Sequence, residues 1–415
     1  AVPHMHPGEI LINDYTYTLP DERIARYPLP ERDASKLLVY QNEVIIDDSY
    51  RHIDRYLPAG SLLVFNNTKV VEARLLFQKP SGGQIELFCL EPHENYGDIS
   101  TGLLQQEKVW WKCLIGGASK WKAGQVLHKS IEANGQPISL EARYIEKQPD
   151  CFVIEFSWTP GQLPFADILH HAGLLPLPPY LKRPADADDR QRYQTVYAAH
   201  DGSVAAPTAG LHFTPALFDR LRQKDIHPAF ITLHVGAGTF KPVKSAAIGD
   251  HLMHSELIDV SAAFIRQLID AGSHVFAVGT TSLRTLESLY WMGVKTTLDT
   301  LLPPASLPLT QWEVYEPRLN IDLPVKDALE SLLQWMERNA MERLLTKTQV
   351  LIAPGYRLRM IRGLITNFHQ PQSTLLLLVA AVAGPDWKTL YDHALQHDYR
   401  FLSYGDGCLL YVEDF

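Results

Sequence analysis

Between Ser61 and Trp158 apolar and polar residues alternate in short runs: SLLVFNNTKVVEARLLF, GGQIELFCLEP, KVWWKCLIGG, GQVLH, ISLEARYIEK and CFVIEFSW, with Gly, Asn or Pro between them. Alternation at period two puts one face of a run in a core and the other in water, the pattern of a strand. About six strands in succession, with no crossover helix between them, predict a small barrel or sandwich. The flanks have a different texture. Helix signals at Pro215–Lys224, at Ser261–Ala271 and from Thr280 alternate with strand signals at Ala229–Val235, His274–Val278, Gln349–Ile352 and Gly363–Thr366, which predicts an α/β layer on a largely parallel sheet. The expected fold class is α/β: a layered α/β domain over residues 5–60 and 160–415, with a small β-barrel domain, 61–159, inserted into it. Inside the larger domain, about 294–346 reads as an extra segment. It is proline-rich at first and then helical, with Leu329, Leu332, Leu333, Met336 and Leu344 on one buried face.

A chain of 415 residues is too long for one core, and 46% hydrophobic with 20% charged residues describes a folded protein. The formal net charge of −9 argues against a protein that coats nucleic acid nonspecifically, although a local basic groove is compatible with it. Cys89, Cys113, Cys151 and Cys408 lie outside metal-ligand spacing of one another and read as reduced thiols in a cytoplasmic protein. The opening AVPHMHPGEI lacks the apolar core of a signal peptide, Met5 reads as the native start, and no apolar run is long enough for a bilayer.

Small residues and histidines crowd Gly202–Phe240. GSVAAPTAGLHFT and ITLHVGAGTF hold Thr208, Gly210, His212, His234, Gly236, Gly238, Thr239 and Phe240, which predicts backbone that a small molecule approaches closely beside groups that titrate near neutrality. HVGAGTF superficially suggests a nucleotide-binding turn, but GxGxxG is incomplete and Pro242 follows, so alone it is weak evidence for one. HLMHSE contributes His254 and Glu256, a couple suited to acid–base work; no HExxH accompanies it, and no metal is expected. AVGTTSLRTLES reads as a strand end followed by a helix opening with Thr280, Thr281 and Ser282 and carrying Arg284, an arrangement that attracts anions. Asn367 and His369 in LITNFHQPQST, and Tyr404 and Asp406 in YRFLSYGDG, also follow strands. In an open α/β sheet those loops would meet in one crevice. PLPPYLKR ends in Lys182 and Arg183, near Tyr180, Tyr193 and Tyr197, a mixture suited either to single-stranded RNA or to a plain interdomain connection.

These blocks, together with DYTYTLPDERIARYPLPERDASKLLV, RYQTVYA and APGY, run in one order over nearly the whole chain. The chain thereby resembles the S-adenosylmethionine:tRNA ribosyltransferase-isomerase family of queuosine biosynthesis. The resemblance implies an α/β domain with an inserted β-barrel. It also implies an enzyme that moves the ribosyl group of S-adenosylmethionine onto 7-aminomethyl-7-deazaguanine at the wobble position of tRNA and isomerises it. The product is epoxyqueuosine, with adenine and methionine released. S-adenosylmethionine is then a substrate, no cofactor is expected, and the partners are that tRNA and S-adenosylmethionine, with no membrane. Either a monomer or a homodimer fits.

On this resemblance His212, His234, His254 and His369 are the expected acid–base set, with Glu256 orienting His254. Thr208, Gly210, Gly236, Gly238, Thr239, Phe240, Thr280, Thr281, Ser282, Arg284, Asn367, Tyr404 and Asp406 are expected around S-adenosylmethionine. Arg32, Asp33, Lys69, Arg74, Lys182 and Arg183 are expected on the tRNA side. The competing expectations are an S-adenosylmethionine-dependent RNA methyltransferase and a non-catalytic tRNA-binding paralogue.

Overall fold

The structure, a computed structural model, describes residues 6–66, 74–97, 99–133, 135–173, 208–234 and 255–413. Strands β1 (Lys36–Gln41), β2 (Val44–Ser49) and β3 (Leu62–Asn66) come first. They are followed by β4 (Arg74–Gln78), β5 (Gln84–Pro92), β6 (Lys108–Gly116), β7 (Val126–Ala133), β8 (Gln136–Lys147) and β9 (Phe152–Thr159). Then come β10 (His227–His234), β11 (Glu256–Ser261), β12 (Val275–Val278), β13 (Arg343–Thr348), β14 (Gly363–Asn367) and β15 (Gly407–Tyr411). Among the described residues they form two sheets. One has nine strands in the order β13-β11-β10-β3-β12-β14-β15-β1-β2, the other six in the order β4-β5-β6-β9-β8-β7.

The middle of the larger sheet, β10, β3, β12 and β14, is parallel, so the carboxyl ends of these strands share one edge. Antiparallel β11 and β15 begin at that edge, Leu257 opposite His234 and Gly407 opposite Asn367. Parallel pairing of β1 with β15 brings the start of β1 there too, Leu37 opposite Gly407. Four strands of apolar residues, all buried in β3, β12, β14 and β15, form a layer covered on both faces. The helix Thr280–Leu298, buried over most of its length, packs on the sheet.

The six-stranded sheet is antiparallel throughout and curls into a barrel-like form. Its edge strands are joined where Lys129 Nζ on β7 donates to Leu76 O on β4 at 2.9 Å. Leu75, Phe77, Leu87, Trp111, Ile154 and Phe156 fill its interior. Phe165, on the helix Phe165–Ala172, stacks on Phe156 and Trp158 with ring centroids 5.4 and 5.6 Å away.

Several expectations change here. The run beginning at Leu62 was expected in the small barrel, yet β3 lies at the centre of the large sheet, between β10 and β12. Its five consecutive buried residues suit a strand covered on both faces, not an alternating one. The barrel-like segment also contains a short helix, Ile99–Leu103. In the extra segment the helix spans Val325–Arg338 and buries Leu329, Leu332 and Met336. Leu344, expected on the same helix, belongs to β13, which pairs with β11 at the sheet edge; the strand expected at Gln349–Ile352 lies instead at Arg343–Thr348. Gly293 lets this helix touch Thr280–Leu298, since a Cβ there would collide with the Ala328 backbone. A buried pair, Lys295 Nζ to Glu313 Oε1 at 2.8 Å, ties down the proline-rich part. No helix among the described residues is long and apolar enough to cross a membrane.

Candidate active site

The strand order reverses between β3 and β12, since β3 leads to β10 on one side and β12 to β14 on the other. Ligands in open α/β sheets bind at such a point, beyond the carboxyl ends of the strands. Asn66, the buried last residue of β3, reaches across it and donates from Nδ2 to Thr281 Oγ1 at 2.9 Å. Thr281 lies in the first turn of Thr280–Leu298. Gly279 precedes that helix with φ 92°, a left-handed conformation that favours glycine.

One turn further, Arg284 is 6% exposed. Its Nη1 lies 2.5 Å from Glu256 Oε1, and its Nε donates to Val350 O at 3.1 Å. The pair is incomplete: Arg284 Nη2, Glu256 Oε2, Ser282 Oγ and Thr285 Oγ1 are buried without a hydrogen-bond partner among the described residues. Glu256 was expected to orient His254. It is bound to Arg284, and His254 lies outside the described residues.

His212 is buried against Tyr50, their rings stacked with centroids 4.0 Å apart and planes 16° from parallel. Its Nδ1 lies 3.1 Å from Arg32 O. A carbonyl can only accept, so Nδ1 carries the proton and Nε2 holds a lone pair; Nε2 is buried and has no partner among the described residues. Burial pushes this ring down to about 4, with Arg400 and Arg32 adding to the fall against the opposing hydrogen bond to the Arg32 carbonyl. It is neutral at pH 7. Burial likewise brings His369 down to about 4. The His369 Nε2 is 2.9 Å from Thr366 Oγ1, while its backbone is clamped by the hydroxyls of Tyr17 and Tyr391.

The beginning of β15 is held tightly. Asp406 accepts at both oxygens, from Lys36 N and Arg400 N, each at 2.7 Å. It was expected beside S-adenosylmethionine; its carboxylate here fastens the start of β1 to the loop ahead of β15. Gly407 leaves room for Tyr50, whose hydroxyl would collide with any Cβ at that position. Asn367 donates from Nδ2 to Leu402 O at 3.3 Å, and Tyr404 is exposed nearby in sequence. The same edge thus gathers Asn66, Glu256, Thr281, Asn367 and Asp406 from five separate stretches of chain.

The queuosine biosynthesis protein family model matches residues 12–410. The chain belongs to that family. An S-adenosylmethionine:tRNA ribosyltransferase-isomerase from Pelobacter propionicus is 37% identical over 97% of this chain and 100% of its own length. One from Stenotrophomonas maltophilia is 37% identical over 97% and 98%. A crystal structure of S-adenosylmethionine tRNA ribosyltransferase from Thermotoga maritima is 27% identical and covers 95% of this chain and 99% of that one; its TM-score of 0.45 is too low to bear on the arrangement of the two sheets.

Within this member of the family the candidate basic residues divide. Arg74 is paired with Glu86 on the six-stranded sheet. Arg32 makes no ion pair among the described residues and adjoins Asp33, which accepts from Thr214 Oγ1 at 3.3 Å and faces Arg51 at 3.4 Å. Lys69, Lys182, Arg183, Gly236, Gly238, Thr239 and Phe240 lie outside the described residues. Thr208 and Gly210 fall in the short helical turn Thr208–His212, and His234 ends β10. Sequence reasoning missed Tyr50 and Arg400. Tyr50 sits in DDSYRHIDRY, which carries no motif, and only the fold brings it under His212. Arg400 lies within YRFLSYGDG, and its charge beside a strand end is the available signal.

Proposed function

We propose that this chain is an S-adenosylmethionine:tRNA ribosyltransferase-isomerase. What carries the reading is that relatives of that name align with it almost end to end. The substrate we infer is tRNA bearing 7-aminomethyl-7-deazaguanine at the wobble position, modified in the cytoplasm. The ribosyl group of S-adenosylmethionine passes to the aminomethyl nitrogen and rearranges to an epoxycyclopentane, and adenine and methionine leave. S-adenosylmethionine is consumed as a substrate, and side chains alone serve the acid–base steps. We read the nine-stranded sheet with its helices as a layered catalytic domain and the barrel-like sheet as its insertion.

The crevice supplies groups that suit this chemistry. The open Nη2 of Arg284 and Oε2 of Glu256 offer a donor and an acceptor side by side, matching the carboxylate and ammonium of a methionine head group. Asn66, Thr281 and the helix start lie at the switch point beside them. His212, neutral with its lone pair on Nε2, is fitted to accept a proton and not to donate one at pH 7. His369 is likewise neutral at pH 7. The proton that helps adenine depart is therefore assigned to His234 or His254.

Mass spectrometry of precursor-bearing tRNA after incubation with the protein and S-adenosylmethionine tests the reading. Epoxyqueuosine in the tRNA, with adenine and methionine in equal amounts, is the expected outcome. Formation of S-adenosylhomocysteine would make it a methyltransferase, and tRNA binding without consumption of S-adenosylmethionine would make it a non-catalytic paralogue.

A further inference from the structure

Outside the crevice, Asp47 on β2 meets His393 and His397 at the end of the helix Trp387–Gln396. One ligand atom from each lies within 4.8 Å of the others. Residues four apart on a helix share a face, and the two imidazoles stack with centroids 3.8 Å apart and planes 15° from parallel. His393 Nε2 is 2.9 and 3.0 Å from the two Asp47 oxygens. His397 Nδ1 lies 2.8 Å from His393 O; because the carbonyl accepts, the proton is on Nδ1 and Nε2 keeps its lone pair. Metal-ligating histidines are commonly fixed in this way, with the second nitrogen donating to a backbone carbonyl.

Asp47 is itself oriented by the Tyr399 hydroxyl at 2.5 Å. Burial alone would push its pKa up, but hydrogen bonds from Tyr399 and His393 outweigh it and hold the carboxyl below its usual range. The Lys36 ammonium, also close by, donates to the carbonyls of His397 and Asp398 at 2.9 and 3.2 Å, so it leaves the carboxylate to the imidazoles. Asp47 and His397 are exposed and His393 partly so, which admits an ion and the waters that would complete its shell. A simple Asp–His hydrogen bond accounts for His393 and leaves the second, tautomer-fixed imidazole without a role.

We propose that Asp47, His393 and His397 bind a divalent cation of the zinc class and clasp the edge strand β2 to the helix Trp387–Gln396. Two imidazoles and one carboxylate favour Zn2+, Ni2+ or Co2+ over Mg2+ or Ca2+, which prefer oxygen. On binding, His393 takes the tautomer protonated at Nδ1, so that Nε2, which faces Asp47, presents its lone pair to the ion and the ring stays neutral. The site is independent of the ribosyl-transfer reading.

Titration calorimetry of Zn2+ into the chelator-stripped full chain, in the presence of excess Mg2+, is the test. Co2+ serves as a second probe through its visible absorption. One equivalent should bind, and His393→Ala/His397→Ala should lose at least about tenfold in affinity for it, together with the rise in Tm that Zn2+ confers on the unaltered protein. Should the double variant fail to fold, His397→Gln, at a position exposed at the helix end, takes its place. Full affinity in the variant that folds, displacement of Zn2+ by Mg2+, or no uptake of Zn2+ overturns the proposal.

Discussion

Arg284 and Glu287 are buried charges less than one turn apart on the same helix, and they are treated in opposite ways. Glu287 accepts from Tyr356 Oη at 2.9 Å, Arg359 N at 2.8 Å and Met360 N at 2.8 Å. Trp291 Nε1 donates to the same Tyr356 hydroxyl at 2.8 Å, and the Arg359 guanidinium stacks over Trp291. Both carboxylate oxygens are satisfied, and the group pins the loop after β13 to the helix. Among the described residues Arg284 and Glu256 satisfy each other only in part. A buried polar atom left open is costly, so a complete network marks scaffold and an incomplete one marks a place made for something else.

Substitutions that separate scaffold from site put this difference at risk. Glu287→Ala should cost the most, about 3 kcal/mol or more in urea unfolding, because three donors lose their acceptor; kcat of the protein that stays folded should be unchanged. A large fall in kcat at unaltered stability would reverse the roles assigned to the two charges. Next is His212. Between about pH 6.5 and its folded value near 4 the unfolded chain binds a proton that the buried ring refuses. Stability is thus complete above pH 6.5 and drains away as pH falls toward 4, by on the order of 3 kcal/mol. Urea midpoints for His212→Gln at pH 7 and pH 5 should show a shallower decline than the unaltered protein; an identical decline removes the ring from this account.

Glu256→Gln keeps the shape of the pair and removes one charge. It should weaken S-adenosylmethionine binding about ten- to a hundredfold, whereas Glu287→Gln should leave binding alone; equal affinities for the two variants would erase the contrast. The smallest effect concerns the two arginines expected at tRNA. Arg32→Ala should lower the salt slope of tRNA binding by about one, and Arg74→Ala, its charge already committed to Glu86, should change the slope little. A fall for Arg74 as large as for Arg32 would show that pairing does not distinguish them.

The alternating runs from Gln84 to Trp158 were legible because each strand has one wet face, and period two survives in such strands. β3 was misplaced for the opposite reason: buried on both faces, it carries no alternation to set it apart from its neighbours. The helix signal in the extra segment was sound up to Arg338. Leu344 then continued the helical spacing by coincidence, and only pairing with β11 reveals it as strand. Glycines, hydroxyls and charges after strands pointed to Thr281, Arg284 and Asn367. That Glu256 joins Arg284, and that Tyr50 lies under His212, depends on strand order and long-range packing, which local pattern does not encode.

The nine-stranded sheet is sewn from distant parts of the chain. β3 and β10 are neighbours although the whole barrel-like sheet lies between them in sequence, and β1 pairs with β15, at the opposite end of the chain. Contacts of such separation close late and slow folding. During synthesis the barrel-like unit emerges before β10 and can settle early, while β1 must wait for β15 to leave the ribosome. Until then Lys36 has no Asp406 to meet and His212 no finished floor. The crevice edge is therefore completed only when β15 has joined β1 and β14, and a chain cut before β15 should never acquire it.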